Sequence, residues 1–78
     1  MDKKMNDLIL NKPAIIVKVH HPDEKMQRRL YDLGFYEGTA VMKSLQGPQG
    51  DPAAYKIKGA TIALRNQDAQ YIHVRGLD

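Results

Sequence analysis

The side chains richest in chemistry gather in His20-His21-Pro22-Asp23-Glu24. Two imidazoles and two carboxylates so close together are the right donor types for a first-row metal ion. Their spacing is poor for it. Metal-binding histidines usually share one helical face or flank a fixed loop, and this pair does neither. His20 closes a strand-like run, His21 points the other way, and Asp23 is placed to cap a helix. The segment therefore reads as a solvated corner between strand and helix, with His20, His21, Asp23 and Glu24 kept as weak metal candidates. His73, between the inward Ile72 and Val74, is expected to face solvent alone.

Other routes to catalysis are thinner still. The one serine, Ser44, stands mid-strand with no histidine near it in sequence. No glycine-rich loop ends in Lys-Ser or Lys-Thr, so there is no phosphate cradle for nucleotide hydrolysis. With no cysteine, thiolate metal sites, iron–sulfur clusters and cysteine nucleophiles are excluded. The acidic residues are scattered without an acid–base spacing. The chain reads as a non-enzyme without a cofactor.

Nucleic acid is the next class to weigh. Arg28-Arg29 and the pair Lys56 and Lys58 are the basic candidates. Small barrels that bind single strands stack bases on outward aromatics, and this chain has no Trp and one Phe. Asp32 gives Arg28 a partner at i+4, the blander use of that charge. The net charge of +3, from 12 basic and 9 acidic residues of interspersed sign, serves mainly solubility.

The elements that would position these groups follow from periodicity. Ala14 to His20 is a β-branched strand, with Ile15, Val17 and Val19 expected on the inner face. Asp23 is placed as an N-cap with Glu24 in the first turn. Met26, Leu30 and Leu33 make one apolar stripe on a helix of about ten residues. Gly34 ends it as a left-handed C′ residue, and Phe35 at C″ is set to pack on Leu30. After the turn Tyr36-Glu37-Gly38, a second strand spans 39–46, followed by the loop Gly47-Pro48-Gln49-Gly50-Asp51-Pro52. Strands at 54–58 (Tyr55 and Ile57 inward), 60–65 (Ile62 and Leu64) and 71–75 (Ile72 and Val74) complete the count. Gly59 turns the first pair, and Asn66 to Ala69 makes one helical turn. Residues 1–7 look loosely held, with Leu8 and Leu10 tucked beneath. Five short strands and one early helix, with no βαβ rhythm, predict a small antiparallel barrel.

Size points the same way. Surface scaling for 8.8 kDa gives roughly 4,800 Å² exposed when folded, and a standard interface takes about 800 Å² from each partner. Such a chain is better suited to being an interface than to enclosing a reaction. An unstapled small domain points to a reducing compartment, and Ala14 to Val17, the longest aliphatic run, is far too short to span a membrane. The expected location is the cytoplasm.

Taken together, Arg29-Leu30-Tyr31-Asp32-Leu33-Gly34-Phe35, Gly38, Gly50-Asp51-Pro52, then Gly59-Ala60-Thr61-Ile62-Ala63-Leu64-Arg65 and Ala69, resemble the FeoA family. These are small cytosolic proteins of bacterial ferrous-iron uptake. The resemblance runs from about Leu8 to Val74. Glu37 stands where many members have Pro, and Lys12-Pro13 where many have Gly near the first strand, both in turns. The same small barrel occurs at the C-terminus of iron-dependent repressors, behind a DNA-binding domain; this chain begins almost at the barrel and matches the stand-alone form.

The resemblance implies an SH3-like barrel of five strands, one domain over 1–78 with its core at about 8–75. It also implies a role beside FeoB, the membrane ferrous-iron transporter with a cytosolic GTP-binding domain. Arg29, Asp51 and Arg65 fall on the family's charged positions and read first as ties between helix, loop and barrel. Turns on a rigid scaffold are where binding usually sits. The expected contact surface is therefore Tyr36-Glu37-Gly38 with the 47–52 loop, and Asp51 and Arg29 beside them. Two other classes stay open: a metal-responsive module, if His20 and His21 are ligands, and a small-barrel nucleic-acid binder.

Overall fold

The computed structural model describes residues 2–77. The expectation of a loose start, as far as it concerns Met1, lies outside them. Six strands form one antiparallel sheet: β1 (Asp2–Lys4), β2 (Ala14–Val19), β3 (Ala40–Gln46), β4 (Ala53–Ile57), β5 (Ala60–Leu64) and β6 (Ile72–Gly76). Helix α1 (Glu24–Asp32) follows β2, and the single turn α2 (Asn66–Ala69) precedes β6. The strand order is β1-β6-β2-β3-β4-β5. Among the described residues β1 and β5 do not pair, so the sheet ends in two edges.

The sixth strand corrects the expected five. Residues 2–4 pair with β6, Lys3 opposite Val74, and a 3₁₀ turn at Met5–Asp7 buries Met5 completely. This stretch was expected to be loose, yet its charges at 2–4 face solvent while Met5 enters the core. A buried lysine reinforces it: Lys43, 3% exposed, donates from Nζ to the Asn6 carbonyl at 2.6 Å. Leu8 is buried as expected, but Leu10 stays 37% exposed.

The inner face of β2 also differs from expectation. Ala14, Ile16 and Val19 are buried, while Ile15 and Val17 are half-exposed. The cause is a β-bulge. Ile16 pairs with Val74 and Lys18 with His73, leaving Val17 as an extra residue that resets the two-residue period. A second bulge at Ser44 in β3 keeps Val41 and Lys43 inside but turns Leu45 out, to 68% exposure. His73, expected in solvent, is half-buried between Lys4 and Lys18 on the flanking strands.

Helix α1 forms as its caps predict. The Asp23 Oδ1 accepts from the Lys25 N–H at 3.0 Å. At the other end the Phe35 N–H donates to the Leu30 carbonyl (2.9 Å) and the Gly34 N–H to that of Tyr31 (3.0 Å). That pair of bonds is a Schellman cap, with Gly34 at φ +107° and Phe35 fully buried beside Leu30. Met26 and Leu33 are half-buried against the same core, as is Ile62, while Tyr55, Ile57, Leu64, Ile72 and Val74 enter it as expected.

Candidate functional site

The corner where β2 meets α1 carries most of the side chains singled out above. His21 sits at its centre, with only 8% of its side chain exposed. Its Nδ1 accepts from the Asp23 N–H at 3.0 Å, which requires that nitrogen to be unprotonated. The proton on Nε2 then bonds Asp68 Oδ1 at 2.8 Å. The Tyr71 ring meets the imidazole edge-on at 4.8 Å between centroids. Both nitrogens are therefore occupied within the fold.

Two residues of α1, one turn apart, bind the same corner. The Gln27 Oε1 accepts from the His21 N–H (2.7 Å), and its Nε2 donates to the Val19 carbonyl (2.9 Å). The Tyr31 hydroxyl donates to the Glu37 carboxylate (2.8 Å to Oε1), whose Oε2 accepts from the Val19 N–H at 3.3 Å. Burial pushes the Glu37 carboxyl upward. Bonds from its own backbone N–H, the Tyr31 hydroxyl and the Val19 N–H outweigh that, so it ends below its ordinary value. The bond to Glu37 is the main cause that raises Tyr31.

Around these ties lies an open groove of about 600 Å³, lined by His20, His21, Glu24, Gln27, Arg28 and Tyr31 with Asp32. His20 and Glu24 are exposed there. The four metal candidates thus divide: Asp23 caps the helix, His21 is saturated, and only His20 and Glu24 keep free donors. Among the described residues no three His, Cys, Asp or Glu converge on one point.

The expected contact residues divide as well. Tyr36, Glu37 and Gly38 adjoin the corner. Tyr36 is half-buried, edge-on to Tyr31 at 6.4 Å, with the Lys58 Nζ 4.7 Å from its ring centroid. The Gly38 N–H, at φ +89°, donates to the Ile16 carbonyl at 2.8 Å. Arg29 is exposed on α1, four residues before the cap. Asp51 is elsewhere. It follows β3 whereas the 36–38 turn precedes it, and a seven-residue strand separates them by about 20 Å. There its Oδ1 accepts from the Asn66 N–H at 2.9 Å, satisfying a free donor at the start of α2.

Tyr31, Gln27, Asp68 and Lys43 carry structure that sequence reading did not assign. Gln27 and Tyr31 at i and i+4 gave a local signal, while Asp68 lies 47 residues from His21 and gave none. Lys43 looks like any strand lysine, yet burial lowers its pKa, opposed in part by Asp7.

Residues 3–76 match the model of the FeoA domain. The chain belongs to the FeoA family. Among solved FeoA relatives, iron(II) transport protein A from Clostridium thermocellum is 30% identical with a TM-score of 0.88, covering 95% of this chain. The matched region spans only 45% of that chain's length. The Stenotrophomonas maltophilia FeoA, described as a prokaryotic SH3 domain protein complexed with zinc, is 30% identical with a TM-score of 0.77 over 95% of this chain and 88% of that one. A Helicobacter pylori protein with the provisional name Fe(2+) transport protein A is 27% identical over 91% of this chain and 93% of its own. The motif residues that resemble FeoA thus sit in a FeoA fold, with Gly34, Gly38, Gly50 and Gly59 all at the positive φ their turns require.

Proposed function

We propose that this FeoA-family chain is a non-enzymatic, cytoplasmic accessory of bacterial ferrous-iron uptake that binds the cytosolic GTP-binding portion of a FeoB-type transporter. Family membership over residues 3–76 carries the reading. The Stenotrophomonas relative, for its part, is suggested to be an activating factor of ferrous iron transport. No helix among the described residues is long and apolar enough to cross a membrane.

The corner supports a binding role. Bonds through His21, Gln27, Tyr31 and Glu37 tie the corner together, and the groove beside it presents Arg28 and Tyr31, with Tyr36 edge-on to Tyr31. Tyrosine and arginine are the residue types that anchor interfaces. Glu37, bonded to Tyr31, and Gly38 beside it continue this face; Arg29 is exposed on the same helix, and Asp51 belongs to a separate patch.

Calorimetry of the full chain against the soluble GTP-binding portion tests this. Arg28→Glu with Tyr36→Ala should weaken binding at least about tenfold, the loss of one modest anchor, with the protein still folded. No binding by the unaltered chain would sink the partner assignment. Full-strength binding by the folded double variant would place the contact elsewhere.

A further inference from the structure

The two edges of the sheet are treated very differently. Strand β1 is three residues, Asp-Lys-Lys, all charged and exposed, and the Arg75 Nε donates to Asp2 Oδ1 at 2.9 Å across it. Short, charged edges of this kind are how sheets resist unwanted pairing. Strand β5 has none of that protection. It is five residues, Ala-Thr-Ile-Ala-Leu, without charge or proline, and its register with β4 is unbroken by a bulge. In an antiparallel edge strand the N–H and C=O of every second residue point away from the sheet. Among the described residues those of 60–64 bond to nothing beyond the β4 ladder.

Side chains on the outer face give this edge a reading frame. Cross-strand pairing lines up Leu45, Ala54 and Ala63 in one row and Met42, Lys56 and Thr61 in the next. The first row, with Pro52, borders an apolar depression of about 280 Å³. The second ends in a depression of about 390 Å³ lined by Lys56, Lys58 and Thr61. A strand added beside β5 extends both rows. It would set one side chain against the apolar row and another, two residues away, within reach of lysine.

Charge selects the occupant. Residues 53–65 contain Lys56, Lys58 and Arg65 and no acidic residue. A second copy pairing antiparallel through β5 would bring Arg65 of each to the Lys58 end of the other, like against like. We infer that the β5 edge is a strand-addition site for an extended acidic segment of a partner protein, with an apolar residue beside Ala63 and a carboxylate two positions away beside Thr61. Backbone bonds supply affinity in this mode, and the alternate side chains supply selection. The backbone edge of 60–64 is distinct from the α1 corner, and Lys58, which borders the second depression and reaches the Tyr36 ring at 4.7 Å, is the residue that adjoins both.

The test uses the full chain and a capped octapeptide, Thr-Val-Thr-Glu-Thr-Val-Thr-Glu, against the same peptide with lysine for glutamate. Amide exchange at alternate positions within 60–64 should slow at least about tenfold on saturation with the acidic peptide. The lysine peptide should bind at least about tenfold more weakly, and Lys56→Glu should narrow or reverse that preference. Exchange in 60–64 indifferent to the acidic peptide would overturn the site. Equal binding of both peptides would overturn the charge selection. Protection that grows with protein concentration in the absence of peptide would make the occupant a second copy instead.

Discussion

The α1 corner and the β5 margin hold opposite relations between chemistry and availability. The corner has two histidines and five carboxylates, and its central groups, His21, Asp23, Gln27, Tyr31, Glu37 and Asp68, are bonded within the fold. The margin is mostly apolar side chains and threonine with lysine nearby, and among the described residues its outward backbone groups bond to nothing. Reactive residue types are thus a poor guide to what a small domain offers its partners. In a core one layer deep, polar side chains are needed to fix corners that apolar packing cannot reach.

Adjacent histidines give the largest expected contrast. His21→Ala removes a nearly buried ring and leaves Asp68 without its donor, so it should cost about 2–3 kcal/mol in denaturant unfolding. His20→Ala, at an exposed position, should cost less than about 0.5 kcal/mol. Equal costs would mean that the His21 bonds contribute nothing. Next comes Gly34→Val. At φ +107° the new side chain is strained, and its Cβ would meet the Lys58 Cδ at 3.4 Å. A loss of about 2 kcal/mol is expected, against none for Gly76→Val, where the space is open.

Glu37 should matter less and show it through pH. Its folded pKa lies below the ordinary 4.5, so the stability it adds is present above that value and is lost as pH falls through the folded pKa. Glu37→Gln should flatten the acid limb of the melting profile and cost about 1 kcal/mol at neutral pH. An unchanged acid limb would show that the Val19 and Tyr31 bonds do not favour the charged form. At the alkaline end Tyr55, pushed up to about 12 mainly by burial, with Asp51 and Asp7 adding to it, acts in the other direction. Its unfolded form ionises near 10, so stability should fall between pH 10 and 12, and Tyr55→Phe should remove part of that fall.

How much of this was legible depended on whether the determining residues are close in sequence. The α1 caps were readable because Asp23, Leu30, Gly34 and Phe35 act within one local motif. So were the inward residues of β4 and β6, where period two runs uninterrupted. The bulges at Val17 and Ser44 were not, because an inserted residue leaves the sequence alternation looking intact while reversing the faces beyond it. Ile16 was consequently on an unexpected side. The site suffered from distance. His21 stayed a weak metal candidate because nothing near it in sequence showed that Asp68 would take its Nε2, and Asp51 looked adjacent to Glu37 until β3 separated them. FeoA membership was readable from the spaced glycines and charges, since turn geometry constrains residue type locally.

The smallest expected effect is the sharpest test of the contrast. Lysine introduced at Glu37 and at Ala63 adds positive charge at two exposed positions. In the corner the change removes an acceptor from two bonds and sets an ammonium against the Val19 N–H, so Glu37→Lys should cost about 1 kcal/mol or more. On the margin nothing depends on the alanine methyl, and the outer face has room for a long side chain, so Ala63→Lys should stay within about 0.5 kcal/mol. It should also cut binding of the acidic octapeptide, because the ammonium stem fills the apolar row where the valine side chain would rest. A lysine at an edge is a common natural guard against strand addition. If Ala63→Lys instead destabilises as much as Glu37→Lys, the margin is part of the fold's support and its apparent availability is false. If it leaves both stability and peptide binding untouched, the edge is free but the outer row does not choose what pairs with it.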